Sequence, residues 1–215
     1  MKGVTQGVKL GLPFAAADVV DGAAFGAIAS AIGLGVVAPT AMSLIAFSGS
    51  AQFAALTVLA QHGGLISVVI AVVALNSRYI VYGVSIAPAL SPSRLKRLAQ
   101  AQLLTDVSWG LAMKDGRPNR QILVGAGFVE LVGWTAGTTA GAVAGSFIGS
   151  YRTVGLDAAL PTFFLCLLLE RVLVGDRRLL ALAAAGSAAV ALAPALPAGV
   201  PLIAVLVGAL VLGGR

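Results

Sequence analysis

Long apolar stretches, separated by short polar intervals, occupy most of the chain: roughly 11–33, 36–61, 64–90, 121–149, 155–175, 178–196 and 199–213. Most exceed the roughly 18 residues that carry a helix across a hydrocarbon core of ~30 Å; the last two are the shortest. A transmembrane barrel would instead show alternating segments of about 10 residues. The pattern therefore predicts an all-α integral membrane protein with about seven transmembrane helices. Between the third and fourth stretches lies LAQAQLLTDVSWGLAM (98–113), short and interrupted by Gln100, Gln102 and Asp106. The insertion cost of an aspartate favours a cytoplasmic interfacial helix here over a re-entrant piece buried in protein.

The order of stretches suggests internal symmetry within a single transmembrane transporter domain, 1–215. A first repeat, about 11–90, has a small-residue helix, a span interrupted by SGSAQF, and a third helix. A connector, about 91–120, leads to a second repeat, about 121–196. That repeat has a glycine-rich helix, a span opening with GLDAALPTF, and a third helix; a final helix covers 199–213. Consecutive three-helix units are inverted relative to each other, and inverted repeats with broken helices are a recurring transporter architecture. Gly133, Gly137, Gly141, Gly145 and Gly149 recur every four residues in the fourth stretch. Small residues at this spacing let helix backbones approach closely in lipid. So long a stripe predicts packing within the chain and, along part of its face, against a small helical partner.

Composition agrees with the pattern. Of 215 residues, 59% are hydrophobic and 10% charged, with mean hydropathy +0.99; soluble domains carry about 25% charged residues. The net charge of +6 is not a nucleic-acid footprint, because the basic residues cluster between spans. Arg94, Lys96, Arg97, Lys114, Arg117 and Arg120 precede the fourth stretch, and Arg171, Arg177 and Arg178 lie at the junction of the fifth and sixth. Such enrichment marks cytoplasmic loops. Seven spans with the N-terminus outside put these nine and Arg215 inside, against Lys2, Lys9 and Arg152 outside. If 98–113 also crosses, the N-terminus moves inside. Both arrangements place the C-terminus in the cytoplasm. Lys2 and Lys9 ahead of an apolar run resemble a signal peptide, but Asp18 and Asp21 within that run point to a retained first span.

Charged residues inside spans are costly unless paired or hydrated. Asp18 and Asp21 lie three apart on one face of the first span, Arg78 lies mid-way along the third, and Asp157 opens the fifth. One arrangement pairs Arg78 with Asp18 or Asp21 and locks two helices. The other lines a polar cavity, where Arg78 holds a carboxylate and an aspartate meets an ammonium or a coupling proton. Glu130, nearer a span end, reads as a snorkelling residue.

The second stretch contains FSGSAQFAAL, with Ser48, Gly49, Ser50 and Gln52 near mid-span. A tight helix crossing accounts for it; so does a local unwinding that opens backbone groups to a ligand. Composition alone leans to packing. Lone Cys166 excludes an internal disulfide and His62 sits in a connecting turn. There is no zincin, nucleophile-elbow or phosphate-loop motif. No enzymatic activity, cofactor or metal is expected.

FSGSAQFAAL followed by NSRYIVYGVSIAPAL, then LLTDVSWGLAM and GLDAALPTFFLCLL, resembles the AzlC family, the large subunit of two-component branched-chain amino acid exporters. The family motifs run close to F-x-G-S-x-Q-F, N-x-R-H-x-x-Y-G-x-S-x-A-P, T-D-E and G-x-D-x-A-L-P. The resemblance implies ion-gradient-driven export of small neutral amino acids across the inner membrane of a prokaryote. It also implies a separately encoded, small hydrophobic partner of the AzlD type. The motif residues here are Ser48, Gly49, Ser50, Gln52, Asn76, Arg78, Tyr82, Asp106, Asp157 and Pro161, and the first seven are read as substrate contacts. Proton or ion coupling is assigned to Asp18, Asp21, Asp106 and Asp157.

Departures stand out: Tyr79 replaces the family histidine after Arg78, Val107 replaces the acid after Asp106, and the paired Asp18 and Asp21 are unusual for the family. A transporter of another small solute and a non-transporting scaffold subunit are the alternatives. With the resemblance, SGSAQF is expected to be a broken helix at the substrate site. In that break Gly49 would supply backbone freedom, and Ser48 and Ser50 would satisfy freed backbone groups.

Overall fold

A computed structural model describes residues 2–114 and 116–147. Its frame is a pair of long helices, α1 (Lys2–Ala29) and α8 (Arg120–Gly145). Between them lie α2 (Val37–Ile45), α3 (Gly49–Ala60), α4 (Leu65–Asn76), α5 (Arg78–Ile86), α6 (Arg94–Ala101) and α7 (Asp106–Ala112). A two-stranded hairpin, β1 (Met113–Lys114) and β2 (Arg117–Pro118), joins α7 to α8.

The glycine stripe is the seam of this frame. Gly133, Gly137, Gly141 and Gly145 of α8 face Ala15, Val19, Ala23 and Ala27 of α1. A Cβ at Gly133 would lie 2.5 Å from the Ala15 carbonyl oxygen. At Gly145 it would lie 2.7 Å from that of Ala27. The backbones touch, so this face is filled by the chain's own first helix and leaves no room there for a partner.

The same contacts set direction. Residue numbers rise together along both helices, so α1 and α8 run parallel. Inverted units beginning with these helices would set them antiparallel. A parallel pair requires an odd number of crossings between them, and two unbroken spans give an even number. The segments between explain the difference.

The second stretch is not a span. After a π turn (Ser30–Leu34), Gly33 and Gly35 adopt φ of +93° and +65° and reverse the chain. Next α2 descends along α8: Thr40 Oγ1 lies 3.1 Å from Thr139 Oγ1, and Ser43 Oγ 2.9 Å from Thr138 Oγ1. At Ala46–Ser48 the helix breaks, with Ser48 extended (φ −154°, ψ 97°). From there α3 climbs back: Phe53 meets Phe25 and Trp134, and Leu56 joins the core cluster around Phe25 and Ala29. Its two halves form a re-entrant hairpin that enters and leaves at the end where α1 finishes. The expected break is present, and the expected crossing is not.

The third stretch does cross. A tight turn at 61–64 reverses the chain into α4, which runs antiparallel to α3 and returns to the break, where Ser48 Oγ donates to Asn76 Oδ1 at 2.7 Å. The helix bends by 41° at Ser77, whose hydroxyl donates to the Ala74 carbonyl at 2.7 Å. Its continuation, α5, ends among Leu104, Ala112, Ile122 and Leu123, at the end where α8 begins. This is a broken span.

Residues 98–113 form neither the single interfacial helix expected nor a span. Basic α6 is exposed, as an interfacial helix should be. Beyond it, Leu103 packs its backbone against Gly127 and Thr105 reaches Glu130. From that depth α7 returns to the entry end, where Asn119 N–H donates to the Ala112 carbonyl at 2.9 Å. This tip is re-entrant. It enters from the end opposite to α2–α3.

The described residues therefore contain two long apolar helices and one bent pair able to cross a membrane. The starts of α1 and α8 and the 91–93 turn share one end, so the N-terminus lies on the side of the basic connector and not opposite it. The later stretches, with Asp157, Pro161 and Cys166, lie outside the described residues.

Candidate functional site

The two tips meet at mid-depth. Just past α6, Gln102 Nε2 donates to the carbonyls of Leu44 and Ile45 at 2.9 and 3.0 Å, satisfying acceptors left open by the end of α2. At the other tip, Ser48 makes no side-chain cap on α3; its hydroxyl donates to Asn76 Oδ1. The first amide groups of α3 thus present the positive end of a helix at the break.

Between the tips lies Arg78, placed by the α4–α5 bend. Its Nη2 donates to Ser50 Oγ at 2.9 Å and sits 2.9 Å from Asp106 Oδ2. Asp106 Oδ1 accepts from the Tyr82 hydroxyl at 2.9 Å. Arg78 Nε is buried without a partner among the described residues. The guanidinium lies 5.2 Å from the centre of the Tyr79 ring, within cation–π range. Tyr82 stacks on Trp109 at 4.4 Å, and Trp109 Nε1 donates to Ser85 Oγ at 2.7 Å. Arg78 and Asp106 side chains retain 33% and 48% exposure, so the pair is accessible.

Most of the sequence-derived candidates converge here: Ser48, Ser50, Asn76, Arg78, Tyr82 and Asp106. Gln52, 2% exposed, lies one turn into α3; its Nε2 donates to Ser43 Oγ at 3.2 Å, while its Oε1 has no partner among the described residues. Arg78 does not pair with Asp18 or Asp21; its acid is Asp106, on an element not expected to reach this depth. Those two aspartates stay on α1, partly buried. Ser48 and Ser50 bond to side chains rather than freed backbone. Gly49 has no positive φ; a Cβ there would sit 2.8 Å from Trp134 Cη2, so it is small because an indole lies against it. Tyr79, at the departure from the family histidine, supplies an aromatic face to Arg78.

Other residues were missed. Thr105 and Ser108 form a capping box, with bonds of 2.8 and 2.9 Å, legible as T-D-V-S. Glu130 is not at an interface: it is 2% exposed and accepts from Thr105 Oγ1 at 2.6 Å. Its place four residues before Trp134 and eight before Thr138 was the available signal of a buried face beside the glycine stripe.

A family model for the AzlC protein matches residues 13–148, well over half of the chain. The chain belongs to the AzlC family. The matched AzlC region holds both re-entrant tips, the bent span and the Arg78–Asp106 pair. A membrane protein of transporter type follows from the family and its apolar helices. No curated protein and no solved structure matches the chain.

Proposed function

We propose that this AzlC protein is the large subunit of a secondary-active exporter of branched-chain or other small neutral amino acids. The observation that carries the proposal is the position of Arg78, held between two helical tips that enter from opposite ends. A zwitterionic amino acid fits this pair without changing net charge. Its carboxylate takes the guanidinium in a fork that two parallel hydrogen bonds favour. The start of α3 adds its helix dipole. Its ammonium takes Asp106. Aromatic rings at Tyr79 and Tyr82 flank the reacting charges, and no bond is made or broken.

The end shared by the starts of α1 and α8 carries Lys9, Arg94, Lys96, Arg97, Arg117 and Arg120. Among the described residues, the segments at the opposite end, around 30–37, 58–66 and 143–147, carry no Lys or Arg. The bias of basic residues orients the N-terminus toward the cytoplasm of a prokaryotic cell. A small hydrophobic AzlD-type subunit completes the system, as the family motifs imply. The test is efflux of radiolabelled leucine, isoleucine, valine and methionine from cells with and without this chain plus that partner. Efflux that depends on both supports the reading; equal efflux without them refutes it.

A further inference from the structure

Among the described acids that the substrate pair leaves without a task, Glu130 is the most deeply buried. Glu130, about midway along α8, has one oxygen bonded to Thr105 and the other, Oε1, buried without a partner among the described residues. Among the described residues, the charged groups that act on it are acids, Asp18 on α1 and Asp106 on α7. The cation of the bent span, Arg78, is engaged by Asp106. A carboxylate kept from water without a counter-charge is strongly disfavoured, whereas the neutral acid is tolerated. Thr105 Oγ1 accepts the Ser108 N–H at 2.9 Å, so its own proton is directed at Glu130. The next residue is Asp106.

We propose that Glu130 carries the coupling proton on Oε1 and reports it through Thr105 to the Arg78–Asp106 pair. The inference rests on the export reading above. The only bond that changes is O–H: a proton enters from water at one face and leaves to water at the other. Without it, Glu130 adds a negative charge near Asp106 and strengthens the hold on a substrate ammonium. With it, that hold weakens. Proton and amino acid therefore alternate, as export against an inward proton gradient requires. Glu130 touches no substrate and acts as a positioning residue through the α7 tip.

The test uses the chain with its small partner in proteoliposomes, comparing wild type with Glu130→Gln. The variant should retain leucine–leucine exchange and lose at least tenfold of the pH-gradient stimulation of net leucine transport. Infrared difference spectra across pH supply a second readout, independent of transport. The carbonyl band of a protonated carboxyl should appear in wild type, persist in Asp106→Asn and vanish in Glu130→Gln. Full gradient stimulation in Glu130→Gln, or no band assignable to Glu130 in wild type, would overturn the proposal. A wild-type protein that shows the band but moves no amino acid supports Glu130 as the proton site and refutes the export reading.

Discussion

Arg78 Nη2 lies 2.9 Å from Asp106 Oδ2, and this contact joins a helix bend to the tip of a hairpin from the basic end. Both side chains are about a third or more exposed, so the pair adds little stability, about 1 kcal/mol or less. Its value lies in what it leaves available to a ligand. Arg78→Lys keeps the charge and loses the fork. Transport should fall at least about tenfold, equivalent to about 1.4 kcal/mol, while the amount in the membrane stays near wild type. Asp106→Asn should behave alike. Efflux normalised to membrane protein checks both; full activity in Arg78→Lys would reduce the pair to a helix tie.

The re-entrant hairpin makes a topological prediction. With Cys166 replaced by serine, single cysteines at Val37 and His62 should react with an impermeant maleimide from the same side. A cysteine at Ser93 should react from the other. If 36–61 crossed the membrane, the first two would fall on opposite sides.

How much of this was legible in the sequence depends on the length scale of the signal. Hydropathy marked every apolar stretch, and SGSAQF marked the break at Ala46–Ser48. Neither carries direction, so a segment that enters and returns looks like one that crosses. The bend at Ser77 is invisible to composition, because one serine hydroxyl bonding the Ala74 carbonyl leaves hydropathy unchanged. Arg78 and Asp106 were each legible as candidates. Their pairing was not, because it depends on α7 folding back to the depth of Glu130.

The glycine seam predicts an outcome within the chain itself. A side chain at Gly141 would drive into the Ala23 backbone, and neither long helix can yield without parting from the other. Gly141→Leu should lower the melting temperature of the isolated chain, by the several °C that overpacking of about 1–3 kcal/mol produces. Exposed Val143→Leu should leave it unchanged. Thermal melts in detergent decide this. Loss of partner recovery with an unaltered melt would instead put the seam at a subunit interface.

Gly49 makes a paired prediction with Trp134. An added methyl would meet the indole ring at 2.8 Å, so Gly49→Ala should reduce stability and transport together. Trp134→Phe removes the crowding atom and also an indole N–H that is buried without a partner among the described residues. The double variant should recover part of both losses. Equal defects with and without Trp134→Phe would show that Gly49 serves the break through its backbone.

Substrate recognition by opposite charges at one site is most directly tested by binding competition on the purified chain with its partner. Labelled leucine would be displaced by unlabelled leucine, by its amine lacking the carboxylate, or by its keto acid lacking the ammonium. A site built on Arg78 and Asp106 should require both groups, so that each single-charge analogue competes at least about a hundredfold more weakly, roughly 2.7 kcal/mol. Displacement by either analogue as effective as leucine itself would contradict recognition through the Arg78–Asp106 pair.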